Sequence, residues 1–398
     1  MSDTDTPRQI AEETPDLAPV SWSDLQGWAS DDHLAAFQAF LRTAEPSVER
    51  PYETRRLGVS GDRLAAIGKR ALTAEISTQQ AARLFFEQNF HAHRLIVQSE
   101  GHLTGYYEPS VRASRAKTAD YAFPILRRPP DLVDLTDENR PTDIEPHIRY
   151  GRQMPDGSIA SYWDRASIEG NDRHEGILTG QGLELAWVAD PMDAYFIHIQ
   201  GSARLLLTDG MQMRVTYAAK SGHDYSSIGK ALHGAGELAA DDLTMVSLRR
   251  WFQENPERRT EFTWRNRSYI FFEESEIAGP EMGPVAAAKV PLTAGRSMAV
   301  DRTLHTYGTP FFVSIASAPD GLDGPDSRLV IAQDTGSAIV GPVRGDLFVG
   351  TGDEAGVTAG AINSVADFVV LLPKDPLPSG PVSSEPLRHE SLPRGSRR

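Results

Sequence analysis

Apolar residues recur at helical spacing in the first quarter of the chain and at strand-like spacing afterwards, so hydrophobic pattern alone divides the polypeptide. Leu34, Phe37, Phe40 and Leu41 share one helical face behind Asp31 and Asp32, and Ser77 with Gln80 forms a capping-box pattern ahead of Ala81, Leu84 and Phe85. From Gly101 the texture changes to short β-like runs broken by Gly, Pro and Asp: YAFPIL, AYFIHI, ARLLL and QMRVTY. These predict a mostly β segment from about Glu108 to Leu232. A helix is predicted over Asp241 to Glu254, burying Met245, Leu248, Trp251 and Phe252. Then come SYIFFEE, PVAAAKV, FFVSIA, RLVIAQ and DFVVLL, and so many short strands need closure, which predicts a small barrel. Residues 1–19 and 374–398 are polar and proline-rich and read as flexible tails.

Composition narrows the function. With 398 residues, of which 40% are apolar, the chain can bury the cores of about two domains. A net charge of -15 repels phosphate polymers, so nucleic acid is excluded as a partner. Cysteine is absent, which removes thiol nucleophiles, thiolate metal sites and disulfides. The acidic start MSDTDTPRQIAEETPDLAP does not read as a secretion signal, and no run is long and apolar enough to span a membrane.

Candidate chemistry concentrates between Arg328 and Gly352, where Asp334 and Asp346 follow apolar strand-like runs in glycine-punctuated turns. Asp334-Thr335-Gly336-Ser337 has the look of an aspartic peptidase half-site, whose mechanism needs two carboxylates sharing a proton. No second such turn exists, so that chemistry requires a homodimer. His91 and His93 lack a companion ligand, and the glycines of GQGLEL and HGAGEL lack fingerprint spacing, so no metal and no cofactor are expected. GHLTGYYEP from Gly101 and HIQGSAR from His198 combine glycine, hydroxyl, amide and aromatic groups, a mixture that suits a sugar.

Ten motifs follow one another in a characteristic order. They are LTGYYEP from Leu103, FPILRRP from Phe123, YWDRASIEG from Tyr162, HIQGSA from His198, SGHDYSSIGKAL from Ser221, SYIFFEE from Ser268, VPLTAGRSMAVDR from Val290, then AQDTGSAI, RGDLFVGTGDEAG and VVLLP. This set, spanning about Asp62 to Pro373, resembles the lytic murein transglycosylase A family, bacterial enzymes that cut peptidoglycan. The chain departs from the family pattern at Ala203 and Ser337, where glycine is usual, and at Ser221-Gly222, where KNG is usual. A side chain in place of glycine narrows any backbone approach to a sugar there.

The resemblance implies a mainly β fold with helices. A double-psi β-barrel domain would be assembled from residues 20–107 and 233–373, with a 3D-type signature over about 290–373, and residues 108–232 would form an inserted β domain across a glycan-binding groove. It implies cleavage of the β-1,4 bond between N-acetylmuramic acid and N-acetylglucosamine, with a 1,6-anhydro product made by a single aspartate. Carried over by position, Asp346 is the general acid and base, Asp334 its support, and Asp301 structural; Thr104, Tyr106, Gln200, Gly201 and Ser202 bind substrate. The implied partner is a peptidoglycan glycan strand met by a monomer, with cell-wall synthesis or division proteins left open, in the periplasm or at the outer membrane. The chain as given shows neither a signal nor an anchoring cysteine. A homodimeric aspartic peptidase using Asp334 and a noncatalytic peptidoglycan-binding protein are the alternatives.

Overall fold

The computed structural model describes residues 14–171, 174–277, 279, 282–315 and 326–374. The chain opens with strand β1 (Asp16–Pro19), helices α1 (His33–Glu49), α2 (Gly61–Thr73) and α3 (Gln79–Asn89), and strands β2 (Phe90–Ile96) and β3 (His102–Glu108). Its middle holds β4 (Ser110–Ser114), β5 (Phe123–Leu126), β6 (Leu132–Asp134), β7 (Tyr150–Gln153), β8 (Ile159–Ala160), α4 (Arg165–Glu169), β9 (Gly170–Asn171), β10 (His174–Glu175) and β11 (Glu184–Val188). It continues through α5 (Pro191–Gln200), β12 (Ser202–Leu207), β13 (Gln212–Lys220), α6 (Ile228–Gly234), α7 (Met245–Glu254), α8 (Arg259–Thr263) and β14 (Ile270–Ser275). The last portion holds β15 (Ser297–Val300), β16 (Pro310–Ile315), β17 (Ser327–Asp334), β18 (Arg344–Thr351), α9 (Asp353–Ala361) and β19 (Asn363–Pro373).

The larger sheet runs β1-β2-β19-β16-β17-β15-β18-β3, and a second pairing of β3 with β19 closes six of these strands into a ring. Closure removes the sheet's inner edges, and the ring is the double-psi β-barrel expected from the resemblance. Leu103, Met298, Leu347 and Phe368 share its core with Phe37, Phe40 and Phe86 from the helices. A Cβ on Gly345 would stand 2.6 Å from the Met298 sulfur and 3.0 Å from the Phe368 ring, so the strand bearing Asp346 can close only with glycine there.

Helix starts were partly legible. Asp32 caps α1 by accepting from the Ala35 amide at 2.9 Å. Its neighbour Asp31 turns inward, paired with both terminal nitrogens of Arg296 and accepting from the Leu329 amide at 2.7 Å. The cap of α3 is Thr78, one residue beyond the expected Ser77.

A second sheet, ordered β14-β13-β12-β4-β11-β5, forms the insert. Its upper boundary lies beyond the expected Leu232, because β14 pairs with β13 from Lys220↔Ile270 to Arg214↔Ser275 and buries Phe272 in the insert core with Leu205 and Val215. The helices before β14 belong with it as well, since Trp251, Phe252 and Phe262 pack on Met192, Tyr195 and Phe196 of α5. AYFIHI, read as a strand, is the body of helix α5. PVAAAKV is a turn with one bridge, Val285↔Pro291, and Lys289 at φ 62°. At the N-terminus, Asp16–Pro19 pairs with β2 instead of trailing as a tail; residues 1–13 and 375–398 of the two expected tails lie outside the described residues.

Candidate active site

Strand β15 lies between β17 and β18, and Ala299 is in register with Asp334 on one side and Asp346 on the other. Thr104 of β3 is in turn the partner of Asp346. Asp334, Ala299, Asp346 and Thr104 therefore form a row across the barrel wall, with the two aspartates two inter-strand steps apart, about 10 Å along the sheet. That separation is too great for the two carboxylates of one chain to share a proton. Asp346 lies within a strand and Asp334 at a strand end, where the sequence had suggested turns.

Asp346, like Asp334, is half-buried. Burial pushes its pKa up to about 6, against opposing pulls from the Thr104 hydroxyl and Arg344, and the Asp334 charge adds a smaller push upward. The Thr104 hydroxyl donates to Asp346 Oδ1 at 2.5 Å and accepts from Arg344 Nη2 at 2.7 Å. Arg344 also donates to the Gly345 carbonyl, so the relay Arg344–Thr104–Asp346 is fixed to the backbone. Arg344 was missed in the sequence, although residues two apart on a strand share a face and its position two before Asp346 was the available signal.

Asp334 is held from behind. The Tyr106 hydroxyl donates to its Oδ2 at 2.7 Å and the Ala287 amide to its Oδ1 at 3.2 Å. Burial raises its pKa while the Tyr106 bond pulls the other way. Burial and the facing Asp334 charge together raise the Tyr106 hydroxyl well above its ordinary pKa, so this hydroxyl remains a donor. Asp301 is buried, accepting from the Thr303 amide and hydroxyl at 2.8 and 2.7 Å and from the Gly341 amide at 2.9 Å.

Of the five groups assigned to substrate binding, Thr104 and Tyr106 stand at the aspartates. Gln200 ends α5 and accepts from the Tyr107 amide through Oε1 at 3.1 Å, which ties the insert to β3. Gly201 follows at φ 75° in the left-handed cap position, and a Cβ there would meet nothing within 4 Å. Ser202 is buried opposite Thr216. Ala203 is fully buried in the insert core, so its methyl does not narrow the groove; Ser337 is exposed, and Lys220 Nζ reaches its hydroxyl at 3.4 Å.

Where β3 leaves the barrel for β4, Glu108 sets the relation between the two parts. Fully buried, it accepts from Arg214 Nε at 2.6 Å and Nη2 at 2.9 Å, and from the Thr351 hydroxyl of β18 at 2.9 Å. Arg204 adds a longer contact at 3.4 Å. No group of three metal-ligating side chains is found among the described residues.

Two family profiles match the chain: the MltA specific insert domain over residues 102–273 and the 3D domain over residues 296–372. The crystal structure of a membrane-bound lytic murein transglycosylase from Agrobacterium tumefaciens is 41% identical with a TM-score of 0.82, covering 90% of this chain and 97% of that one. The monoclinic structure of MltA from Neisseria gonorrhoeae is 30% identical with a TM-score of 0.71, covering 92% and 96%. Membrane-bound lytic murein transglycosylase A of Escherichia coli (strain K12) is 31% identical over 273 residues, 67% of this chain, and the match spans 64% of that relative's length.

Proposed function

Because the chain belongs to the lytic murein transglycosylase A family, we propose that it cleaves peptidoglycan between N-acetylmuramic acid and N-acetylglucosamine, leaving a 1,6-anhydro end. The observation that carries this reading is the Asp346 carboxylate, held by the Arg344–Thr104 relay with its pKa pushed up to about 6 by burial. Glycosidases that use water or a covalent intermediate need two carboxylates facing the scissile bond. Here Asp334 is engaged from behind by Tyr106 and Ala287. A lytic cut needs only one such group, because the C6 hydroxyl of the same muramic residue is the nucleophile and proximity is built into the substrate.

The proton balance closes on one residue. Protonated Asp346 gives its proton to the glycosidic oxygen as the C1–O bond breaks. The carboxylate then takes the C6 hydroxyl proton as O6 bonds to C1 of the oxocarbenium-like centre, which regenerates the acid. Thr104 and Arg344 orient the carboxylate, and Asp334 with Tyr106 supports the neighbouring stretch of wall. The groove is built by one chain, which supports a monomer. Such a substrate puts the site of action in the periplasm, and the membrane-bound relatives support the outer membrane; no helix among the described residues is long and apolar enough to cross a membrane.

Digesting purified sacculi and analysing the products by mass spectrometry tests the proposal. Anhydro-muropeptides are expected. Reducing-end sugars would mean hydrolysis, cut stems a peptidase, and intact sacculi with retained protein a binding role; each would overturn it.

A further inference from the structure

Beyond Asp334 stands a cluster of cations to which few acidic groups of this acidic chain answer. Arg149 directly precedes β7, Lys220 ends β13, and Arg302 follows the anchored Asp301, so the insert and the barrel both contribute. Lys220 Nζ lies 3.4 Å from the hydroxyl of Ser337 in the DTGS turn, and the Tyr217 and Tyr150 hydroxyls meet at 3.3 Å beside it. Among the described residues neither Arg149 nor Arg302 has an acidic partner. Of the nearby acids, Glu53 pairs with Arg55 at 2.7 Å, and Asp224, which meets His147 at 3.1 Å, offsets part of the charge of Lys220 alone. The three cations feel one another. Burial foremost, then Arg302, lowers the pKa of both Arg149 and Lys220. Like charges held together on a protein of net charge -15 raise the energy of the empty groove, and an arriving anion relieves it.

We propose that Arg149, Lys220 and Arg302 form a carboxylate subsite that holds an anionic group carried by the bound glycan. Resting on the proposed function, the candidates are the lactyl carboxylate of N-acetylmuramic acid and the carboxylates of its peptide stem. Neither exists on a chitin-type strand, so the subsite selects murein over a neutral polymer of the same backbone. Its position follows from the DTGS turn: the Thr335 hydroxyl, next to Asp334, donates to the Val300 carbonyl at 2.8 Å, and Arg302 lies two residues beyond Val300.

The test is equilibrium binding to full-length Asp346→Asn protein, which holds strands without cutting them. Three probes are compared: stem-bearing glycan strands, strands stripped of stems by an amidase so that only lactyl carboxylates remain, and neutral chito-oligosaccharide. Arg149→Gln with Arg302→Gln is expected to weaken an anionic probe about tenfold, the scale of a lost charge-assisted contact, and to leave the neutral probe unchanged. Lys220→Met should act in the same direction. Loss on stripped strands identifies the lactyl group, and loss confined to stem-bearing strands identifies the peptide. Equal losses on all three probes, or none, would overturn the subsite while leaving the proposed function intact. Failure of the parent protein to bind any strand would overturn both.

Discussion

Replacing Asp346 by asparagine separates catalysis from stability with opposite signs. The amide keeps the size of the carboxylate and can still accept from Thr104, but it can neither give nor take the proton. General acid–base catalysis contributes about 10²–10⁴-fold, and with both half-reactions assigned to this one group the loss should reach the upper end of about 10⁴. The same change should stabilise the fold. A shift from 3.8 to about 6 is about 2 units, worth about 3 kcal/mol at about 1.4 kcal/mol per unit, and the partial exposure of the residue reduces this to about 1–3 kcal/mol. The folded state binds the extra proton between about pH 4 and pH 6, so wild-type stability falls as pH rises through that window. Asparagine removes the dependence.

Two assays check it. Anhydro-muropeptide release from sacculi should vanish in the variant, and urea unfolding should give equal stabilities near pH 4 with the variant ahead above pH 6. In the wild type kcat/KM should fall above about pH 6, since a group with that pKa is only about one-tenth protonated at pH 7. Turnover within a few-fold of wild type, or a stability difference that does not vary with pH, would refute the assignment.

Thr104→Val removes a donor that favours the charged form of Asp346, so the alkaline limb of kcat/KM should move to higher pH while turnover drops about tenfold with the lost positioning; pH–rate profiles read both. Tyr106→Phe should raise the Asp334 pKa further, visible by carbon-13 titration of labelled aspartate, and cost about 1–2 kcal/mol in urea unfolding. Glu108→Gln leaves Arg214 buried without its anion and should cost about 3–5 kcal/mol by the same measurement, with activity falling as the insert loosens against the barrel.

What the sequence revealed and what it hid follows the range of the interactions. AYFIHI misled because Tyr, Phe and Ile favour strands, yet its flanks carried the decisive local signals: Asp190 accepts from the Met192 amide, Pro191 occupies the first turn, and Gly201 closes the end at φ 75°. PVAAAKV has strand composition but must turn, since its Ala287 amide reaches Asp334 and its Ala288 amide reaches Gln333. No local pattern holds those demands. Barrel closure joins Asn363 to Thr104, and the insert ends where Ile270 meets Lys220, pairings set by register between distant segments. The catalytic candidate shows the same limit. Within its own segment Asp334, in DTGS, is the more conspicuous carboxylate, and the family resemblance singled out Asp346. The physical distinction between them appears only when β3 and β17 are laid beside β18 and β15: Tyr106 backs the first carboxylate, while Thr104 and Arg344 orient the second. A residue's chemistry is thus readable from the chain, but its protonation and orientation belong to strands brought together from opposite ends of it.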